Sequence, residues 1–322
     1  MSHNNQRAVI VFNPVKIERE ELEPLVKAAA SKHGWQEPEW VETTEDDPGE
    51  GQAKEAAADG ADMVLACGGD GTVRAVSTGL RDTEAAMGII PQGTGNLLAR
   101  NLGLPLGMEK AIDVAFGGAD RVIDFCAADV VDESGEERTI PFAVMAGVGI
   151  DAQMIENTDD DLKKKTGVFA YAVAVIKSLG GGNRLNLTYR IDEGEETKTR
   201  AHSVIVGNCG ELIGAIELIP DAEPDDGLID LLIMRPKGVF GWIPIICRIA
   251  GQIAWKYLGR GKRFDGAKHT SDDVHYATGH TVSVELSQPE VFEVDGDTVG
   301  KVRSFAIRLD PLSLSVRVPQ DA

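Results

Sequence analysis

The chain has 322 residues, 43% of them apolar, enough for two domains or one large one with a full core. Its 52 Asp and Glu against 32 Lys and Arg leave a formal net charge of −20, which argues against nucleic acid as a partner and against adhesion to an anionic membrane by net charge alone. No apolar run reaches the roughly 18 residues of a spanning helix, the first residues lack the pattern of a signal peptide, and the four cysteines are scattered with no C-x-x-C pair. The expectation is a cytoplasmic protein with reduced thiols.

In chain order, 8–12 is a short apolar strand that Asn13-Pro14 ends. The stretch 18–33 has helical spacing, with Leu22, Leu25, Val26 and Ala29 on one face and Gly34 as its stop. A second strand at 40–43, an acidic loop at 44–51 and an alanine-rich helix at 52–59 follow. Strands at 63–66 and 86–90 complete the alternation of β and α, which predicts a parallel sheet with helices on both faces. Ligands of such sheets sit at the carboxyl ends of the strands. Asn13, Thr43 or Thr44, and the turns at 68–72 and 93–96 all fall there.

Those two turns read C-G-G-D-G-T-V at 67–73 and P-Q-G-T-G-N-L-L-A-R at 91–100. Each follows an apolar run and leads into a helix start. Glycines let backbone N–H groups approach an anion, and a helix N-terminus adds partial positive charge. Neither turn is a Walker A loop or a G-x-G-x-x-G in register with a helix. Asp70 is the distinguishing residue, because a carboxylate inside a phosphate cradle repels phosphate unless something such as Mg²⁺ offsets it. An isolated Gly-Asp-Gly would be read as a plain turn. The second glycine turn, with Thr94 and Asn96 as polar groups, favours a site.

With F-N-P at 12–14, the pair of turns resembles the soluble bacterial diacylglycerol kinase family, lipid kinases that share a catalytic domain with sphingosine kinases. The resemblance implies an ATP site lined by Asn13, Thr43 or Thr44, Gly68, Gly69, Asp70, Gly71, Thr72, Gly93, Thr94, Gly95 and Asn96. Two departures stand out: Val15-Lys16-Ile17 where many members have Gly, and Leu97 where some carry Asp.

Beyond Gly118 the pattern changes. Strands at 121–131, 140–148, 184–192 and 200–207, separated by acidic or glycine turns, read as an antiparallel sandwich. The fold expected is thus an α/β nucleotide-binding domain with a parallel, Rossmann-like sheet, residues 1–120, followed by a β-sandwich lipid-substrate domain, residues 121–305. The terminal strand, at about 306–322, is a candidate to return to the first domain. At 147–151 a Gly-rich strand end is either a close backbone approach or a turn capped by Asp151. The charge run at 159–165 reads as a solvated helix start. The acidic turn P-D-A-E-P-D-D-G-L at 220–228 reads as an ordinary turn, but the resemblance implies a structural Mg²⁺ held by the Asp226 side chain and the Glu223 and Leu228 carbonyls.

The stretch 239–258 is the most apolar helix-like segment, with Pro244 as kink or start. Trp242, Trp255 and Tyr257, beside Lys256, Arg260, Lys262 and Arg263, suit transient contact with a membrane surface, against the plainer alternative of a helix packed on the sandwich. His269, His275 and His280 have no metal-ligand spacing. In V-F-E-V-D-G-D at 291–297, the resemblance makes Asp297 the general base, one methylene shorter than the family's Glu. The expectation overall is a lipid kinase that uses ATP and Mg²⁺, with Asp70 and Asp297 catalytic. The acceptor is a lipid alcohol, foremost diacylglycerol. A homodimer stays open. The rival readings are a kinase for a soluble substrate such as NAD and a non-catalytic nucleotide- or lipid-binding relative.

Overall fold

In the computed structural model, residues 6–149, 184–212, 216–257 and 273–320 are described. Asp151, the charge run at 159–165, Arg260, Lys262, Arg263 and His269 lie outside them. The chain forms two compact units: Met1–Phe125, Pro224–Asp226 and Asp310–Ala322 make unit 1, and Cys126–Glu223 and Gly227–Leu309 make unit 2.

Unit 1 is built on β1 (Ala8–Phe12), buried at every residue, as expected for a strand covered on both faces. It pairs in parallel with β2 (Glu39–Glu42) on one side and β3 (Met63–Gly68) on the other, and β3 pairs in parallel with β4 (Ala86–Pro91). Val316, near the end of the chain, pairs in parallel with Met87 of β4. One sheet face carries Ala8, Ile10, Phe12, Met63, Leu65 and Cys67 into a core shared with α1 (Arg19–His33) and α5 (Met108–Gly117). The helix α1 has Glu20 and Glu21 in its first turn and Lys32 and His33 in its last, the order its dipole favours. It ends at Gly34, whose φ of 76° is the left-handed conformation that glycine adopts at low cost. On the other face lie α2 (Glu50–Ala58) and α3 (Asp70–Leu80), where a Cβ on Gly49 would fall 2.9 Å from Val76 and 3.6 Å from Val11. A five-residue α4 (Leu97–Asn101) follows the second glycine turn.

Unit 2 is antiparallel. From the edge inward, β12 (Val274–Gly279), β11 (Ile229–Met234), β10 (Ser203–Gly207), β7 (Met145–Val148) and β13 (Thr281–Val294) pair in that order. The strand β13 serves two layers. Its first residues, Val282 to Leu286, pair with β8 (Leu185–Ile191), and Phe292 to Val294 pair with β7. A register shift between Glu285 and Glu290 separates the halves. Pro289 lies inside that shift, and proline has no N–H for a ladder. The second layer adds β9 (Thr197–Ala201) beside β8, and β14 (Asp297–Val318), β5 (Ala119–Asp132) and β6 (Glu137–Phe142) beyond β13. Phe142, Val148, Val204 and Leu231 share one apolar cluster with Tyr189, Val284, Phe292 and Phe305. The helix α6 (Gly238–Tyr257) runs through Pro244 without ending.

Two strands predicted as single pieces are each two. The 140–148 segment breaks at Ala143 and Val144, whose N–H groups turn to a side-chain carboxylate rather than to a neighbouring strand. The 200–207 segment belongs to β9 and β10 with a break at His202. The terminal strand expected at about 306–322 is the end of the 22-residue β14 (Asp297–Val318).

Phe292 is wholly buried, with its ring centroid 4.9 Å from that of Phe305. Phe292→Ala is expected to cost about 3–5 kcal/mol of stability, read as a lowered midpoint of urea denaturation. An unchanged midpoint would contradict this core assignment.

Candidate active site

The carboxyl ends of β1, β3 and β4 lie along one edge of the unit 1 sheet. The chain runs from β1 one way to β2 and the other way to β3, so the crevice beyond β1 and β3 is the switch point where such sheets bind ligands. Backbone bonds fix the loops there: Asn13 N–H donates to Cys67 O (3.0 Å), Thr43 N–H to Phe12 O (2.9 Å) and Gln92 N–H to Gly68 O (2.8 Å). The side-chain oxygen of Asn13 accepts the Val15 N–H at 2.9 Å, so this residue closes an Asx turn without any glycine. Thr43 is buried. Thr44 is exposed, and its hydroxyl accepts the Asp47 N–H at 3.0 Å.

The two glycine turns form one structure. Asp70 Oδ2 accepts the Asn96 N–H at 2.8 Å, and Oδ1 accepts the Leu97 N–H at 2.6 Å. Asn96, with a φ of 48°, returns its own amide to Gly93: Oδ1 accepts the Gly93 N–H (2.9 Å) and Nδ2 donates to the Gly93 carbonyl (2.7 Å). Arg100 Nε donates to Gly95 O at 2.7 Å. The backbones touch: a Cβ on Gly93 would stand 2.8 Å from the Gly69 Cα, and one on Gly95 would stand 2.7 Å from Asp70 Oδ2. Any side chain at either position would force the turns apart. Thr72 is buried beneath Gly68, where an added Cβ would meet its Oγ1 at 2.5 Å, while Gly71 is half-buried and Thr94 exposed. The helix α3 begins at Asp70, directly after the carboxyl end of β3, with no side-chain cap bond, and a helix N-terminus so placed favours an anion. Under this loop, burial pushes the Cys67 thiol up to about 12, so it stays protonated and inert.

In unit 2, Asp295 and Gly296 form the two-residue turn between β13 and β14, with Val294 paired to Asp297. Both turn residues have positive φ, 49° and 92°, as a type I′ hairpin requires. Asp297 is exposed at the start of β14. Asp295 is 5% exposed, and its carboxylate accepts three backbone N–H groups: Ala143 (3.0 Å), Val144 (2.9 Å) and Met145 (3.0 Å). Its own N–H donates to Met145 O at 2.9 Å. This anchor was not singled out by sequence; its only local signal is the Asp-Gly pair between apolar residues.

In the acidic turn, Glu223 and Asp226 are exposed and Leu228 is half-buried. The neighbouring Asp225 is taken by Arg121 in a two-pronged ion pair, 2.9 Å at both contacts. Asp124, fully buried, accepts the Leu312 N–H at 2.7 Å and donates its own N–H to Pro224 O. Among the described residues no three acidic, His or Cys side chains gather as a metal group, and none of the four cysteines is in a disulfide.

Comparison with known proteins agrees with both halves of the chain. The family model of the diacylglycerol kinase catalytic domain matches residues 7–128, and that of the YegS C-terminal NAD kinase β-sandwich-like domain matches residues 144–250. A YegS-like lipid kinase of Pseudomonas syringae pv. syringae is 32% identical over 241 residues, which cover 73% of this chain and 74% of that protein. A diacylglycerol kinase of Staphylococcus saprophyticus is 28% identical over 262 residues, 81% of this chain and 78% of that protein. The crystal structure of a diacylglycerol kinase from Bacillus anthracis str. Sterne superposes with a TM-score of 0.66 at 19% identity, over 97% of this chain and 96% of that one, which bears on the fold alone. By these matches, and by the glycine turns and sandwich that carry them, the chain belongs to the diacylglycerol kinase and YegS-like lipid kinase family.

Proposed function

We propose that this lipid kinase transfers the γ-phosphoryl group of ATP to the hydroxyl of a lipid alcohol, with diacylglycerol as acceptor and phosphatidate as product. The observation that carries the nucleotide half is the Asp70 clamp, which holds two glycine turns in contact at the ends of β3 and β4. Bare backbone on both sides and an uncapped helix start fit a polyphosphate. Asn13, Thr44, Thr72, Thr94 and the glycines of both turns are the groups proposed to line it. The acceptor half rests on the family and on the Staphylococcus relative's name.

A lipid hydroxyl is a poor nucleophile near neutral pH. Asp297 is proposed to accept its proton, a role worth on the order of 10²–10⁴-fold. Asp295 would act through it as a positioning residue, since it fixes the hairpin that carries Asp297. The backbone N–H groups of the turns would stabilise charge on the transferring group. Mg²⁺, which takes carboxylate, phosphate and water oxygens, would neutralise part of that charge. Asp70 would hold the ion by way of water, because both of its oxygens already accept backbone N–H groups. The donors present fit a water-rich ion on phosphate rather than a cage made of protein. The acceptor implies work at a lipid surface.

Asp70→Asn turns an NH₂ group toward a backbone N–H and leaves a buried donor unpaired, a penalty of about 1–3 kcal/mol on the loop. Both ATP affinity and turnover should fall, measured by nucleotide titration and steady-state rates; wild-type values for both would remove the role of the clamp. Asp297→Asn should lower kcat by roughly 10²–10⁴-fold with ATP affinity unchanged, and a wild-type kcat would take the base away. Asp295→Ala should lower kcat as well and also reduce thermal stability, whereas Asp297→Asn leaves stability intact. Equal melting temperatures for the two variants would contradict the anchor.

The deciding experiment is radiolabelled ATP transfer by the full chain with Mg²⁺ into a panel of lipid alcohols in mixed micelles, with NAD alongside. Label in diacylglycerol, lost in Asp297→Asn, supports the proposal. Label in NAD alone makes the protein a kinase for a soluble substrate, and ATP binding without transfer makes it a binding protein.

A further inference from the structure

The loops at the strand carboxyl ends of unit 1 are poor in positive charge. Residues 13–18, 43–49, 69–70 and 92–96 hold Glu18, Glu45, Asp46, Asp47 and Asp70 against one cation, Lys16. A triphosphate carries more negative charge than one Mg²⁺ offsets, so a protein cation at the glycine turns has a clear use.

A second cation follows within α4. Arg100 is half-buried, and its Nε donates to Gly95 O at 2.7 Å. Its backbone N–H donates to Asn96 O at 3.0 Å. Main chain and side chain are thus both tied to the second glycine turn, the one that Asp70 joins to the first. The bond through Nε leaves the end of the guanidinium, Nη1 and Nη2, with no hydrogen bond or ion pair among the described residues. Arg7, Arg19, Arg81, Arg121, Arg190 and Arg317 each hold a carboxylate. Arg100 holds none, in a chain of formal net charge −20.

The end of a guanidinium matches two phosphate oxygens with two parallel N–H···O bonds. Lys16 is the weaker candidate. It is exposed and its ammonium makes no bond among the described residues, so binding would have to immobilise a long free side chain. Arg100 is already held by its Nε.

We infer that Arg100 is a substrate-binding residue whose Nη1 and Nη2 take a polyphosphate chain at the second glycine turn. The inference rests on the proposed kinase reading for the identity of that chain as the tail of ATP. The plainer alternative is a brace, in which Arg100 only ties Gly95 to α4.

The test is calorimetric titration of the full chain with Mg²⁺ and ATP, and separately with inorganic tripolyphosphate, over a series of salt concentrations. Arg100→Gln should weaken both ligands by roughly tenfold or more, the loss of a charge-assisted pair. It should also flatten the salt dependence of binding, because one ion pair is gone. Arg100→Lys keeps the charge but not the fork, so it should keep the wild-type salt dependence and part of the affinity.

Wild-type affinity in Arg100→Gln would overturn the inference and leave the proposed function untouched. A loss of affinity with unchanged salt dependence, shared in full by Arg100→Lys, would also overturn it, since that is what a brace gives. Tripolyphosphate bound through Arg100 by a chain that does not bind ATP would uphold the inference and sink the nucleotide half of the proposed function. A wild-type chain that binds neither ligand would overturn both.

Discussion

The Asp70 carboxylate makes the interaction on which the two glycine turns of unit 1 depend. Taken from the sequence alone it is a paradox, a negative charge inside a glycine-rich loop of the kind that cradles phosphate. The geometry resolves much of it. Both oxygens face the backbone N–H groups of Asn96 and Leu97, so the charge is met first by the protein's own donors, in bonds of the charge-assisted kind worth about 1.5–3 kcal/mol. The same contact explains the composition of the second turn. With Asp70 reaching across, neither position 93 nor position 95 has room for a Cβ, and Asn96 folds back on Gly93 to hold the left-handed bend. G-G-D-G-T and G-T-G-N are therefore two parts of a single structure, split in the sequence by a helix and a strand.

That arrangement also accounts for Leu97, the residue at which the sequence was expected to depart from the family pattern. Its side chain is buried and its N–H is one of the two donors to Asp70. A backbone group does the anchoring, and the side chain is left to pack the core. The bond to Asp70 comes from the main chain, so a hydrophobic side chain at this position is compatible with the clamp.

How much was legible in the sequence depended on the range of the interactions. The parallel half could be read because β1, β3 and β4 are buried on both faces and appear as unbroken apolar runs. The helix α5 was not separated, being only ten residues long with a short apolar stripe. The break between β6 and β7 was invisible for a deeper reason. Phe142, Ala143, Val144 and Met145 look like continuous strand, and what interrupts the ladder is a carboxylate about 150 residues later in the chain. Arg121 and Asp225, 104 residues apart, were hidden in the same way. Glycine turns announce themselves locally, whereas a buried acid that gathers distant N–H groups leaves no local pattern.

Asp295 and Asp297 show how one short motif divides two tasks. Residues two apart on a strand share a face, but the type I′ turn reverses the chain between these two and separates their environments. Asp295 goes inward and spends both oxygens on backbone donors, while Asp297 is exposed at the start of β14. In the proposed role of base, a carboxylate one methylene shorter than Glu has less reach, but also one rotatable bond fewer to immobilise. It stands on a two-residue hairpin whose other end is tied by three hydrogen bonds. For a proton acceptor that must be held within a few tenths of an ångström of its partner, a rigid support compensates for lost length more readily than a longer side chain compensates for a loose one.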